Sequence, residues 1–189
     1  MKNRREQILD AALEVFLEKG FDGATLAAIR QRSGASTGSI YHFFSGKADI
    51  AAALLSHATT GWAAQSGSQA DPSDAEGSIT SSVHGFLHWG AANPKQFAFM
   101  DELLTRSGTS PDFEAVGEML AAGRARAGEL YQSWVQMGSV RDLNWDVAYA
   151  LIMGPAYALL RSATKGKQVS DLEIDVVVRA AWTAVRAAS

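Results

Sequence analysis

The chain has 189 residues, 47% of them hydrophobic, and a net charge of −3, which suffices for a full core in one large or two small domains. It has no cysteine, so a disulfide framework and a thiolate metal site are excluded. No apolar run approaches bilayer-spanning length, and the basic start Met1-Lys2-Asn3-Arg4-Arg5 leads into Glu6, Asp10, Glu14 and Glu18, unlike a secretory signal core; a cytoplasmic location is expected.

The charge is unevenly spread. Through Lys47 there are 7 Lys/Arg against 5 Asp/Glu, a balance of +2, and after it 10 against 15, a balance of −5. A small basic excess at one end suits a nucleic-acid partner held by few phosphate contacts. With 33 alanines against 4 prolines and no long alternating Val/Ile/Thr run, an all-helical fold of about nine helices is expected.

Asn3, followed three residues later by Glu6, opens the first helix as a capping box. Its core side is Ile8, Ala12 and Phe16, and Gly20 ends it as a left-handed cap with Phe21 packing behind. Thr25 caps a second helix to Ser33. After the break Gly34-Ala35-Ser36, Ser36 caps a third, whose residues 37 to 44 divide into two faces at 3.6 residues per turn. Ile40, Phe43 and Phe44 form the buried stripe; Thr37, Gly38, Tyr41 and His42 form a polar, aromatic, uncharged face suited to reading base edges. A fourth helix runs from Lys47 to about Trp62, with Ile50 and Leu54 turned to the first three.

Residues 63–75, rich in Ser, Gly and Asp, read as a loop and as the seam between a head, 1–62, and a body, 63–189. The next helix carries Ile79, Val83, Phe86 and Leu87, ends at Asn93-Pro94 and yields to one with Phe97, Met100 and Leu104. Ser110-Pro111 opens a long helix to about Met137. Asn144 caps another that runs towards Lys165, with a kink expected at Pro155. Ser170 and Glu173 form a second capping box for the last helix, Ile174 to Val185.

Two short helices joined by a tight glycine turn are a helix-turn-helix, whose second member lies in the major groove. At fixed offsets the chain resembles the TetR family of transcriptional regulators: Ile8 to Phe16 with Gly20-Phe21, Thr25-Leu26 with Ile29, Gly34 with Ser36, and Gly38-Ser39-Ile40-Tyr41 followed by Phe44, Lys47 and Ile50. It departs from the family pattern at Arg30, where a small residue is usual, at Phe43, often His or Tyr, and at Ala48, often acidic. The resemblance covers the first quarter of the chain.

The DNA contacts expected from this head are Thr25 and Lys47 at helix starts and Arg4, Arg5 and Arg30 on phosphates. Ser36, Thr37, Gly38, Ser39, Tyr41 and His42 supply the groove face, Gly38 letting the backbone approach closely. Thr25 and Ser36 also cap their helices, a role compatible with the contact.

In the body, large rings and methionines interrupted by glycines suit an apolar effector cavity. Phe86, Trp89, Phe97, Met100, Tyr131, Trp134, Met153 and Tyr157 are its candidate lining, although most aromatics at helical spacing are simply core. Arg106, His84 and His88 can orient an acidic effector, Asp101 or Glu102 a basic one. His84 and His88 lie four apart, a spacing that can place two imidazoles on one metal. The intervening Gly-Phe-Leu lacks the glutamate of a zinc protease, however, and a third ligand would have to come from Asp101 or Glu102; no metal or cofactor is assigned.

The last two helices carry wide apolar stripes. The resemblance implies that Leu151, Pro155, Leu159, Ile174, Val177, Val178, Ala181 and Val185 pack against a second subunit as a four-helix interface. A homodimer would set two recognition helices about one DNA turn apart, ~34–36 Å. The expectation is therefore a repressor, not an enzyme, that binds a pseudo-palindromic operator and is released by a small molecule. Two other readings stand beside it: a small-molecule-binding protein or enzyme with a relic head, and a DNA-binding regulator without a small-molecule effector.

Overall fold

The computed structural model describes residues 3–66, 73–106, 114–163, 166 and 168–188. Among them are nine helices: α1 (Arg4–Gly23), α2 (Leu26–Ser33), α3 (Thr37–Phe43), α4 (Lys47–Gln65), α5 (Ala75–Ala92), α6 (Pro94–Arg106), α7 (Glu114–Gln136), α8 (Trp145–Ala163) and α9 (Asp171–Val185). The all-helical architecture is the one that composition demands. A single antiparallel bridge, Val140 with Arg186, is the only β-type pairing among the described residues.

Helix starts are set by side chains that satisfy otherwise orphaned amides. Asn3 and Glu6 form a reciprocal capping box on α1, and Ser170 and Glu173 another on α9. Asp74 Oδ1 accepts from the Gly77 amide at 2.8 Å, and Asn144 Oδ1 from the Asp146 amide at 2.9 Å. At the far end of α7, Gly138 takes φ 71°, and the Ser139 amide reaches back to the Trp134 carbonyl at 3.0 Å, a Schellman closure that needs a left-handed residue.

Two segments differ from the sequence reading. Gly20 has φ 67° but ψ 167°, an extended glycine-only kink and not a left-handed cap, and a further helical turn through Gly23 follows it. Residues 63–65 are helical, so α4 outruns its expected end: Ala63 and Ala64 are strong helix formers, and the Ser66 hydroxyl closes on the Trp62 carbonyl at 3.1 Å. α8 includes Pro155 within its span, as expected. The remainder of the 63–75 loop from 67 to 72, the start of α7 at Ser110-Pro111, and Lys165 lie outside the described residues.

By its contacts the chain divides into two compact units, Met1–Thr59 with Lys95–Leu120, and Thr60–Pro94 with Ala121–Ser189. Three helices, α4, α6 and α7, contribute residues to both, α6 by Pro94 alone. In the first unit α1 packs on α2, and Ile8, Phe16, Ile29 and Ile50 are fully buried. Phe16 stacks on Phe21 at 5.5 Å and on Phe99 at 5.1 Å. In the second unit α5 packs on α8 and α9, and α8 on α9, around Val83, Phe86, Leu87 and Leu160. Each such side chain contributes about 1.5–3 kcal/mol by its burial. Small residues set the close approaches there: a Cβ on Gly90 would lie 2.4 Å from Leu160 Cδ1, and one on Gly85 would lie 2.5 Å from the Ser66 backbone nitrogen.

Candidate nucleic-acid interface

The turn between α2 and α3 is made by Gly34 at φ 63°, ψ 16°, a left-handed conformation that glycine adopts without a Cβ penalty. Behind it Ile29, Ala35, Ile40 and Phe44 are buried, so both helices are held by their apolar sides. Outward, α3 presents Thr37, Gly38, Tyr41 and His42, with Tyr41 60% exposed. Phe43 departs from the expected stripe: it is half-buried and meets the His42 ring edge-on at 4.7 Å. Phe44, in the extended C-cap, takes the fully buried place instead, and a seven-residue helix has no apolar face wide enough to hide both rings.

Thr25 Oγ1 accepts from the Ala28 amide at 3.2 Å and Ser36 Oγ from the Ser39 amide at 3.0 Å. Each hydroxyl thereby keeps its proton to donate to a phosphate oxygen. Arg4, Arg5 and Arg30 are exposed, and Ser39 is half-buried.

Several cations of the head already have partners. Lys47 Nζ donates to the Phe21 carbonyl at 3.0 Å and sits 4.5 Å above the Phe21 ring. The Arg5 guanidinium lies 5.3 Å from the Phe44 ring centroid, and Arg4 donates to Gln7 at 2.9 Å. Arg32 grips Glu18 with two hydrogen bonds, 2.7 and 2.6 Å, which hold the Glu18 carboxyl below its usual range and raise the guanidinium. This fork joins α1 to α2, and sequence reading missed it because the two residues are fourteen apart with no fixed spacing. Asp49 was missed as well. Its carboxylate accepts from the Ser45 amide at 2.9 Å and brings to α4 the first-turn negative charge that Ala48 lacks.

The body residues separate into groups. Phe86 lies 4.8 Å from Tyr157, 6.4 Å from Trp89 and 5.0 Å from Trp62, the last of which was not anticipated. Tyr131 lies beside Trp145 at 5.6 Å and donates its hydroxyl to the Arg141 carbonyl at 2.8 Å; burial pushes its phenol up. Trp134 and Met153 are buried. Phe97 and Met100 are also buried and belong to the unit that contains the head. Asp101 and Glu102 are half-buried, and the Arg106 side chain lies outside the described residues. His84 and His88 approach to 3.0 Å between their Nε2 atoms, and among the described residues no third His, Cys, Asp or Glu joins them.

On α8 and α9 the candidate subunit contacts divide by face. Leu151 and Pro155 are exposed, and Leu159, Val177 and Val178 are half-buried. Ile174, Ala181 and Val185 correct the sequence reading, being buried in the chain's own core at 2%, 0% and 0%. Their side of α9 is consumed by packing on α5 and α8. The outward apolar residues are instead Val147, Leu151, Leu172 and Val176.

A short helix anchored by Ile40 and Phe44, preceded by a glycine turn and capped on both sides, has the geometry of the second member of a helix-turn-helix. Residues 8–54 match the family described as bacterial regulatory proteins, tetR family. The HTH-type transcriptional regulator TtgW of Pseudomonas putida, itself described as uncharacterized, is 43% identical over 54 residues, 29% of this chain and 40% of that protein. The HTH-type transcriptional regulator BetI of Burkholderia thailandensis is 40% identical over 73 residues, 38% of this chain and 37% of that protein. The chain thus spans about two fifths of the curated relatives it matches.

Over the whole chain the fold is that of a TetR family transcription regulator from Marinobacter aquaeolei VT8, with a TM-score of 0.77 at 17% identity, covering 98% of this chain and 96% of that one. The regulator FadR from Bacillus subtilis, solved in complex with stearoyl-CoA, gives 0.72 at 19% identity, with 94% and 97% covered. Residues 8–54 thus match the tetR family model, and the whole chain has a fold like that of solved TetR family regulators. No described helix is long and apolar enough to cross a membrane.

Proposed function

We propose that this protein is a cytoplasmic transcriptional repressor that binds a pseudo-palindromic operator as a homodimer and is released by a small-molecule effector. The observation that carries the reading is the exposed, uncharged face of α3, Thr37-Gly38-Tyr41-His42, held from behind by Ile40 and Phe44. Tyr41 and His42 read base edges, Thr37 reads a base edge or thymine methyl, and Thr25, Lys47 and the arginines position the head on phosphates. Residues 1–62 are proposed as the DNA-binding domain and 63–189 as the effector and dimerisation domain.

The aromatic group around Phe86, Trp89 and Tyr157 supports a partly apolar effector, and the stearoyl-CoA bound by the Bacillus subtilis neighbour is a precedent for one. Exposed Val147, Leu151, Leu172 and Val176 support pairing through α8 and α9. Effector binding favours a subunit arrangement in which the recognition helices no longer match half-site spacing. By linkage, operator weakens effector binding by the same factor. α4, which contributes to both units, is the proposed transmission element.

Selection of bound sequences from a random DNA pool tests this reading. Enrichment of an inverted repeat with half-sites about one turn apart is the expected result; no enrichment over input would overturn it.

A further inference from the structure

We propose that His84 and His88 form a two-nitrogen site for a divalent late first-row transition ion, of the nickel or copper kind. Both lie on α5, His84 exposed and His88 half-buried. Their rings are 4.2 Å apart between centroids, and the two Nε2 atoms converge to 3.0 Å. Only one proton fits between two such nitrogens, so one imidazole donates and the other accepts. Once the donating ring shifts its proton from Nε2 to Nδ1, both Nε2 lone pairs are open to an ion that replaces the hydrogen bond.

The separation also selects a geometry. With metal–nitrogen bonds of ~2.0–2.1 Å, two ligands at a right angle stand roughly 2.9 Å apart, and two at a tetrahedral angle roughly 3.4 Å. The observed 3.0 Å fits adjacent corners of a square or octahedron, which nickel and copper prefer, better than tetrahedral zinc. The backbone that carries the pair is held in place: Gly85, Phe86, Leu87 and Trp89 are all buried, and Gly85 abuts the Ser66 backbone. No third His, Cys, Asp or Glu among the described residues completes a cage, and with water at the remaining corners the ion would be held exchangeably.

Nickel(II) titrated into the full-length, tag-free chain by calorimetry tests the site. The expected result is saturable uptake of one ion per chain, with zinc(II) bound more weakly. His84→Gln and His88→Gln should each weaken nickel at least tenfold, whereas H42Q/H57Q, which removes the other two of the four histidines, should leave it unchanged. Nickel should also raise the melting temperature of the wild type and not that of H84Q/H88Q, because an ion bound only to the folded state stabilises it. Equal uptake by H84Q/H88Q, or no saturable uptake by the wild type, would overturn the proposal and leave the pair as a histidine–histidine hydrogen bond.

Discussion

The ammonium of Lys47 donates to the carbonyl of Phe21 at 3.0 Å while lying 4.5 Å above that residue's ring. One residue at the start of α4 therefore donates to a carbonyl close to where α1 breaks and ends. It retains two further N–H donors for a phosphate. Lys47→Ala should then show two separable effects: a loss of about 1–2 kcal/mol of stability in urea, and a fall of about one in the salt slope of operator binding. A variant as stable as wild type would refute the tie to Phe21, and an unchanged slope would refute the phosphate contact.

Tyr41 is the most exposed large side chain of α3, so its truncation should leave the fold and the oligomeric state intact. Tyr41→Ala should weaken operator binding about 5- to 150-fold in a gel shift, as expected for a side chain worth about 1–3 kcal/mol of discrimination. Retention of full sequence-specific retardation would remove Tyr41 from the reading face.

The Glu18–Arg32 fork gives a pH signature. Because its partner lowers the Glu18 pKa from 4.5, the stability it contributes is present above that value and is lost as pH falls through the lower, folded value. Wild type and Glu18→Gln should differ in melting temperature at neutral pH and converge in strong acid. The gap should be small, since both groups are solvent-exposed; a gap that persists undiminished in acid would point to a cause other than the carboxylate.

Gly85→Ala places a methyl 2.5 Å from the Ser66 backbone nitrogen and 2.6 Å from its Cα. Backbone cannot rotate away as a side-chain tip can, so overpacking should outweigh alanine's better helix propensity and cost about 1–3 kcal/mol in urea unfolding. A neutral or stabilising effect would mean that the end of α4 yields easily.

Leu151→Glu puts a charge on an outward position of α8 without touching the core. If the exposed stripe pairs two subunits, sedimentation should report a folded monomer where the wild type gives a dimer. An undisturbed dimer would locate the contact elsewhere.

Features that depend on neighbours three or four residues away were legible in the sequence. The caps at Asn3, Thr25, Ser36, Asn144 and Ser170 all form where the side-chain spacing indicates, because each bond closes within one turn. The α3 faces were legible for the same reason, apart from Phe43, whose place depends on how wide the helix is. Periodicity did not reveal which side of a doubly apolar helix turns inward, and so Ile174, Ala181 and Val185 were assigned outward when packing on α5 and α8 buries them. Contacts between distant residues, such as Lys47 with Phe21 or Arg32 with Glu18, carry no spacing signature.

Seven residues make fewer than two turns, and a helix that short does not persist in water by itself. α3 is present because Ile40 and Phe44 are buried, so the amides of its reading face can be no better protected from hydrogen exchange than that apolar anchor allows. On the proposed function, sequence recognition is thus a cooperative property of the packed head: whatever loosens Ile40 or Phe44 erases the exposed face of α3 as a whole before any single contact is altered.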